Sequence, residues 1–132
     1  MRYLLDTNAL IWYGTGKQAV MDVVDPLLDY EATSVHFSQF SACEISIKYA
    51  KGRLVLSGRQ PEEFLAKMMN IGMEPADIDL AVFAGTYHLP AHHADPFDRL
   101  IIWQAISGGY TLVSSDEKFK LYEPDGLKLL SI

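Results

Sequence analysis

Short apolar runs alternate along this chain with longer stretches in which apolar residues recur every three or four positions, a pattern that predicts strands separated by helices. Tyr3-Leu4-Leu5, Val35-His36-Phe37 and Thr111-Leu112-Val113 are runs of the kind that form strands buried on both faces. A weaker strand is expected around Gly72-Met73-Glu74, and a last one at Leu127-Lys128-Leu129-Leu130. Helices are expected between them, from Ala19 to Tyr30, Gln39 to Lys51, Pro61 to Asn70, Ile78 to Tyr87 and Pro96 to Ser107. Several ends are signed. Gly52 follows Lys48 and Lys51, which gives the second of these helices a basic last turn and a glycine stop. Asp95-Pro96 pairs an N-cap with a first-position proline, and Gly108-Gly109 closes that helix. Strand-helix alternation without repeats or long linkers implies one α/β domain over residues 1–132, with parallel strands and right-handed crossovers. Open sheets of this class bind ligands beyond the carboxyl ends of their strands, where Asp6 and Asp116 fall.

Each acid near that edge has an ordinary explanation. Asp6 follows a strand and precedes Thr7-Asn8, so it can cap a helix; Asp116, after Thr111-Leu112-Val113, can do the same. Asp98 lies in a first helical turn, where the macrodipole favours a carboxylate. Glu44 depends on where its helix starts. With Ser41 as the cap, Ser41-Ala42-Cys43-Glu44 is a capping box. With Ser38 as the cap, which is the favoured start, Glu44 lies well inside the helix among Phe40, Ile45 and Ile47, and an acid so placed needs partners. Taken as a set, Asp6, Glu44, Asp98 and Asp116 can converge on one crevice, where repulsion raises their pKa values unless cations are present. Hard oxygen ligands select Mg²⁺ or Mn²⁺, and such ions suit phosphodiester hydrolysis.

Charge bears on this directly. A formal net charge of −6 argues against binding nucleic acid through bulk electrostatics, an objection that weakens if acids are pooled around metal. Nearly half of the 132 residues are hydrophobic, enough for a sizeable core, yet no apolar run approaches the roughly 18 residues that cross a bilayer. An acid at position 6 interrupts the start too early for a secretory leader, and Cys43 is the only cysteine, so a cytosolic protein is expected.

Other residues offer less. Lys48, Lys51, Arg53 and Arg99 are candidate phosphate contacts, with Lys48 and Arg99 the favoured RNA-binding residues. His88 and His92 have helical zinc spacing, but Leu89-Pro90 breaks that helix. Gly14-Thr15-Gly16-Lys17 lacks the rest of a phosphate loop. Phe64, Leu65, Met68 and Met69 give one helix a broad apolar face, for the core or for a partner. An aspartyl phosphatase is disfavoured because Asn8 stands where a second aspartate is needed.

Five segments together resemble the PIN-domain ribonucleases, specifically the VapC-type toxins of type II toxin-antitoxin pairs. They are Arg2-Tyr3-Leu4-Leu5-Asp6-Thr7-Asn8-Ala9-Leu10-Ile11-Trp12; Phe37 through Glu44-Ile45-Ser46-Ile47-Lys48 to Gly52-Arg53-Leu54; Leu89-Pro90; His93-Ala94-Asp95-Pro96-Phe97-Asp98-Arg99-Leu100-Ile101; and Leu112-Val113-Ser114-Ser115-Asp116-Glu117-Lys118-Phe119. The resemblance implies a three-layer α/β/α sandwich around a short parallel sheet and an acidic site of Asp6, Glu44, Asp98 and Asp116. It also implies Mg²⁺ or Mn²⁺, endonucleolytic cleavage of RNA, a small antitoxin partner and a homodimer. Asn8 stands where this subgroup often has histidine, and Ser114-Ser115 where threonine and arginine are frequent. The alternative is a catalytically silent PIN-like domain that acts by binding its partner.

Overall fold

The computed structural model describes residues 1–132. Strands β1 (Arg2–Leu5), β2 (Ser34–Phe37), β3 (Glu74–Pro75), β4 (Thr111–Ser114) and β5 (Lys128–Ser131) form one parallel sheet in the order β3-β2-β1-β4-β5. β1 is central: Tyr3 is in register with Val35 on one side and Thr111 on the other. The predicted strands are present, the two weaker ones shifted by a residue or two.

Alternation along β1 and β4 builds two cores. Leu5 and Val113 join Val35, Phe37, Ile45, Phe64 and Met68 on one face, whereas Leu4 and Leu112 join Ile101, Ile102, Tyr110, Phe119 and Tyr122 on the other. The first core is covered by α1 (Thr7–Gly14), α2 (Gln18–Asp29), α3 (Gln39–Ala50) and α4 (Pro61–Asn70). The stretch Leu80–Ala84 is α5, and the second core lies under α6 (Pro96–Gly108) and a 3-10 segment, Glu117–Asp125. Helices on both faces give the expected three-layer α/β/α sandwich, and each leucine buried in the sheet contributes roughly 1.5–3 kcal/mol.

Two helical expectations needed correction. Asp6-Thr7-Asn8 reads as a possible helix start, but no extent for α1 is legible, since Ala9, Leu10 and Ile11 continue the apolar character of β1 and its eight residues show little periodicity. The stretch Ile78 to Tyr87 is not one helix but α5 followed by a 3-10 turn at Gly85–His88. Its apolar residues do not all find cover: Ile78, Leu80 and Tyr87 are 68%, 83% and 79% exposed, while Phe83 packs edge-on against Phe40.

α1 ends against α4. A Cβ added at Gly14 would run into the ring of Phe64, which is fully buried and has nowhere to move. Gly14→Ala should therefore destabilise the protein by about 1–3 kcal/mol, the usual cost of overpacking, although alanine is the better helix former. Urea unfolding of the two proteins measures the difference; equal midpoints would mean that α4 yields.

Candidate functional site

The strand order reverses at β1 and β4, whose chains leave the sheet in opposite directions and open a crevice at their carboxyl ends. Asp6 lies at the mouth, its N–H donating to the Val113 carbonyl at 3.1 Å. It is the N-cap of α1, accepting from the Ala9 N–H at 2.7 Å on Oδ1, while Oδ2 accepts from the Ser114 hydroxyl at 2.5 Å. That hydroxyl also accepts from the Asp116 N–H at 3.1 Å, so a single serine ties both strand ends together. Asp116 in turn caps the 3-10 segment through the Lys118 N–H.

α3 starts at Ser38, whose hydroxyl accepts from the Phe40 N–H, so the capping-box alternative built on Ser41 does not hold. Ser41 instead makes a buried 3.0 Å hydroxyl contact with Thr7, fastening α3 to the start of α1. Glu44 consequently lies inside the helix and is buried. Its Oε2 pairs with Lys48 Nζ at 2.9 Å, one turn on, while Oε1 is buried without a hydrogen-bond partner. α6 brings Asp98. Its N-cap is Asp95, which accepts from the Asp98 N–H at 3.0 Å. His93 reaches the Asp98 carboxylate from the preceding loop, Nε2 to Oδ2 at 3.4 Å, with its Nδ1 2.8 Å from the Tyr122 hydroxyl.

These side chains line one cavity of about 390 Å³, bordered by Asp6, Glu44, Asp95, Asp98 and Asp116, the two lysines 48 and 118, Asn8 and His93. Five carboxylates thus face two ammonium groups. Burial pushes Asp98 up to about 7, helped by the charges of Asp95, Glu44, Asp6 and Asp116. Burial also raises Asp6, to about 6, against the hydrogen bonds from Ser114 and Ala9 that favour its charged form. Burial depresses His93, which favours the neutral ring.

The sign of the pH effect follows. Carboxyls in the unfolded chain lose their protons near pH 4, while Asp6 and Asp98 in the folded chain keep theirs to about 6 and about 7. Over that interval the folded state binds more protons, so the stability these two groups contribute is full below about pH 4 and declines as pH rises through about 7. In EDTA, the melting temperature of the wild type should fall more steeply across this range than that of Asp98→Asn. Parallel profiles would show that Asp98 is not held protonated.

All four acids singled out from the sequence line this cavity, and Lys48 joins them. Arg99 does not: its guanidinium donates to the carbonyls of Leu89 and Pro90 at 3.1 and 2.9 Å, and so braces the loop that carries His93. Ser114, His93 and Lys118 were missed as site residues. Ser114 could have been found as a hydroxyl ending an apolar strand two residues before an acid; His93 depends on Tyr122, a partner no local pattern reveals. Of the neighbouring histidines, His92 pairs with Asp125 and His88 lies against Tyr87.

No curated protein sequence matches the chain. Its fold is similar to that of VapBC2 from Rickettsia felis bound to a DNA fragment from their promoter, with a TM-score of 0.77 at 20% identity, covering 99% of this chain and 98% of that one. VapBC-1 from nontypeable Haemophilus influenzae is similar at a TM-score of 0.68 and 18% identity, with 99% and 98% covered. DNA-bound VapBC from Salmonella typhimurium follows at 0.66 and 18%, with 99% and 98% covered. The family model of the PIN domain matches residues 3–123, from the first strand to beyond Asp116, and the chain therefore belongs to the PIN domain family.

Proposed function

We propose that residues 1–132 act as one endoribonuclease domain that requires Mg²⁺ or Mn²⁺, and that the protein is the toxin of a type II toxin-antitoxin pair. The observation that carries this is the gathering of Asp6, Glu44, Asp98 and Asp116 in one cavity with too few cations to balance them. Their environment fits a divalent ion. Glu44 Oε1 is a buried acceptor with no donor, and the raised Asp6 and Asp98 carry a repulsion that a cation would relieve. The carboxylates border the cavity without any three being arranged to grip one ion directly. A hard cation that keeps several of its waters needs only one or two of the carboxylates as direct ligands.

Asp6, Glu44, Asp98 and Asp116 are the residues that would hold the metal. When bound, such an ion supplies charge stabilisation at the scissile phosphate and activation of the attacking water. The chain's own groups do the positioning. Ser114 fixes one Asp6 oxygen and the Ala9 amide the other, so the carboxylate cannot swing. Lys48 takes Glu44 Oε2 and leaves Oε1 buried without a donor, while Lys118 supplies a positive rim for an incoming phosphate. His93 bridges the Tyr122 hydroxyl at Nδ1 and the Asp98 carboxylate at Nε2, which holds the ring beside that acid.

A small antitoxin partner is inferred from the VapBC assemblies that share the fold, and a homodimer and a cytoplasmic location go with that inference. No helix is long and apolar enough to cross a membrane. The decisive experiment incubates the purified protein with total RNA in Mg²⁺, in Mn²⁺ and in EDTA, and maps the new ends. Internal cuts that need metal are expected. Identical RNA in all three reactions would reject the nuclease.

A further inference from the structure

A second cavity of about 340 Å³ adjoins the acidic one, sharing Glu44, Lys48 and Asp95 as its border. Its far side is of different character: Lys51 and Arg53 supply positive charge, and Ile47 and Phe97 supply apolar surface. The end of α3 sets these residues in place. The Gly52 N–H donates to the Tyr49 carbonyl and the Arg53 N–H to the Lys48 carbonyl, with Gly52 in the left-handed region at φ 69°. This closure fixes the backbone from Lys48 to Arg53 and presents its cations on one rim. Neither Lys51 nor Arg53 forms an ion pair, although the chain carries 17 acids. Phe97 is the residue before Asp98 in the first turn of α6, so the ring on the shelf and the carboxylate in the acidic cavity are fixed by one helix start.

We infer that this shelf is a binding subsite for single-stranded RNA flanking the cleaved bond, with Lys51 and Arg53 on its phosphates and Phe97 stacked on a base. The inference rests on the nuclease reading for the direction from which the strand comes. A net charge of −6 makes general attraction of RNA unfavourable, so affinity has to come from a local cluster, and these cations adjoin the acidic pocket. A half-buried aromatic beside cations is the arrangement that holds unpaired bases, whose faces are free to stack, and a duplex offers none. The acids lie on the border shared with the acidic cavity, Glu44 paired with Lys48 and Asp95 accepting from the Asp98 N–H, so the phosphates belong on the far side beside Lys51 and Arg53.

The test measures binding of a fluorescein-labelled single-stranded oligoribonucleotide to the full chain in Mg²⁺, by anisotropy, over roughly 50 to 200 mM salt. Asp98→Asn is used as the parent so that the probe stays intact. Adding Lys51→Ala and Arg53→Ala should flatten the plot of log affinity against log salt by about 1.4, about 0.7 for each phosphate that is no longer neutralised. Adding Phe97→Ala should weaken binding roughly tenfold with the slope unchanged, since stacking releases no counterions. Lys128→Ala, on β5, is the control for loss of a distant charge, and melting curves confirm that every variant is folded. The subsite is overturned if the double variant keeps the parent's slope or if the parent does not bind. It is equally overturned if the double variant loses a co-expressed protein partner while still binding RNA like the parent, which would give the shelf to that partner. Absence of metal-dependent cleavage by the wild type is a separate result and bears on the nuclease reading.

Discussion

Asp98→Asn should cut RNA cleavage by roughly a hundred- to a thousandfold, the order of loss seen when charge stabilisation at a reacting centre is weakened, here by removing one anionic holder of the proposed metal. The same variant should melt at a higher temperature than the wild type in EDTA above pH 7. The two effects have one cause: the Asp98 charge is disfavoured by burial and by four neighbouring carboxylates, and asparagine has none to lose. Asp98 is not the cap of α6, a role that belongs to Asp95, so the exchange leaves the helix start intact. The substitution does forfeit a favourable dipole interaction of about 0.3–1 kcal/mol, less than the repulsion it removes. If the carboxylates hold Mg²⁺ as proposed, the ion should raise the melting temperature of the wild type, since only the folded chain has the pocket, and raise that of Asp98→Asn less. Asp6→Ala provides the contrast. It should cut cleavage at least as far, but it removes a helix cap worth about 1 kcal/mol and leaves Ser114 without its acceptor, so its stability should fall. Cleavage assays with melting curves at pH 8 separate the outcomes; full activity in Asp98→Asn would reject the acid's role.

Phe64→Ala should have the largest effect on stability, about 3–5 kcal/mol. The ring is fully buried in the core formed by α1, α2, α3 and α4, and it occupies the space that the missing Cβ of Gly14 leaves open. Because the two positions share that space, their effects should not add: Gly14→Ala/Phe64→Ala should be less destabilised than the sum of the single changes, since the new methyl refills part of the void. Urea unfolding of all four proteins completes the cycle. Strict additivity would show that α1 and α4 move apart rather than keep contact.

The central strands could be read directly because β1, β2 and β4 are buried on both faces, which leaves short apolar runs that stand out from their surroundings. The acids could be read for a related reason. Asp6 and Asp116 closely follow such runs, and Ser38 before Gln39 set the frame that buries Glu44. What stayed hidden depended on contacts made across the fold. α1 merges into the apolar run of β1, so although Asp6 reads as a possible cap, the extent of the helix it caps becomes evident only when the chain is seen to turn at the Ala9 amide. The exposed Leu80 and Tyr87 made a five-residue helix look like a ten-residue one. His93 sits in a loop, and only the Tyr122 hydroxyl, 29 positions away, aims it at Asp98.

The joining of Asp6 to Ser114 across 108 positions also sets an order of events during synthesis. Translation proceeds from the amino end, so the Asp6 carboxylate emerges long before the serine that anchors it, and β4 can flank β1 only after the first three strands have been made. The acidic cavity therefore cannot close until the chain as far as Ser114 and Asp116 has left the ribosome.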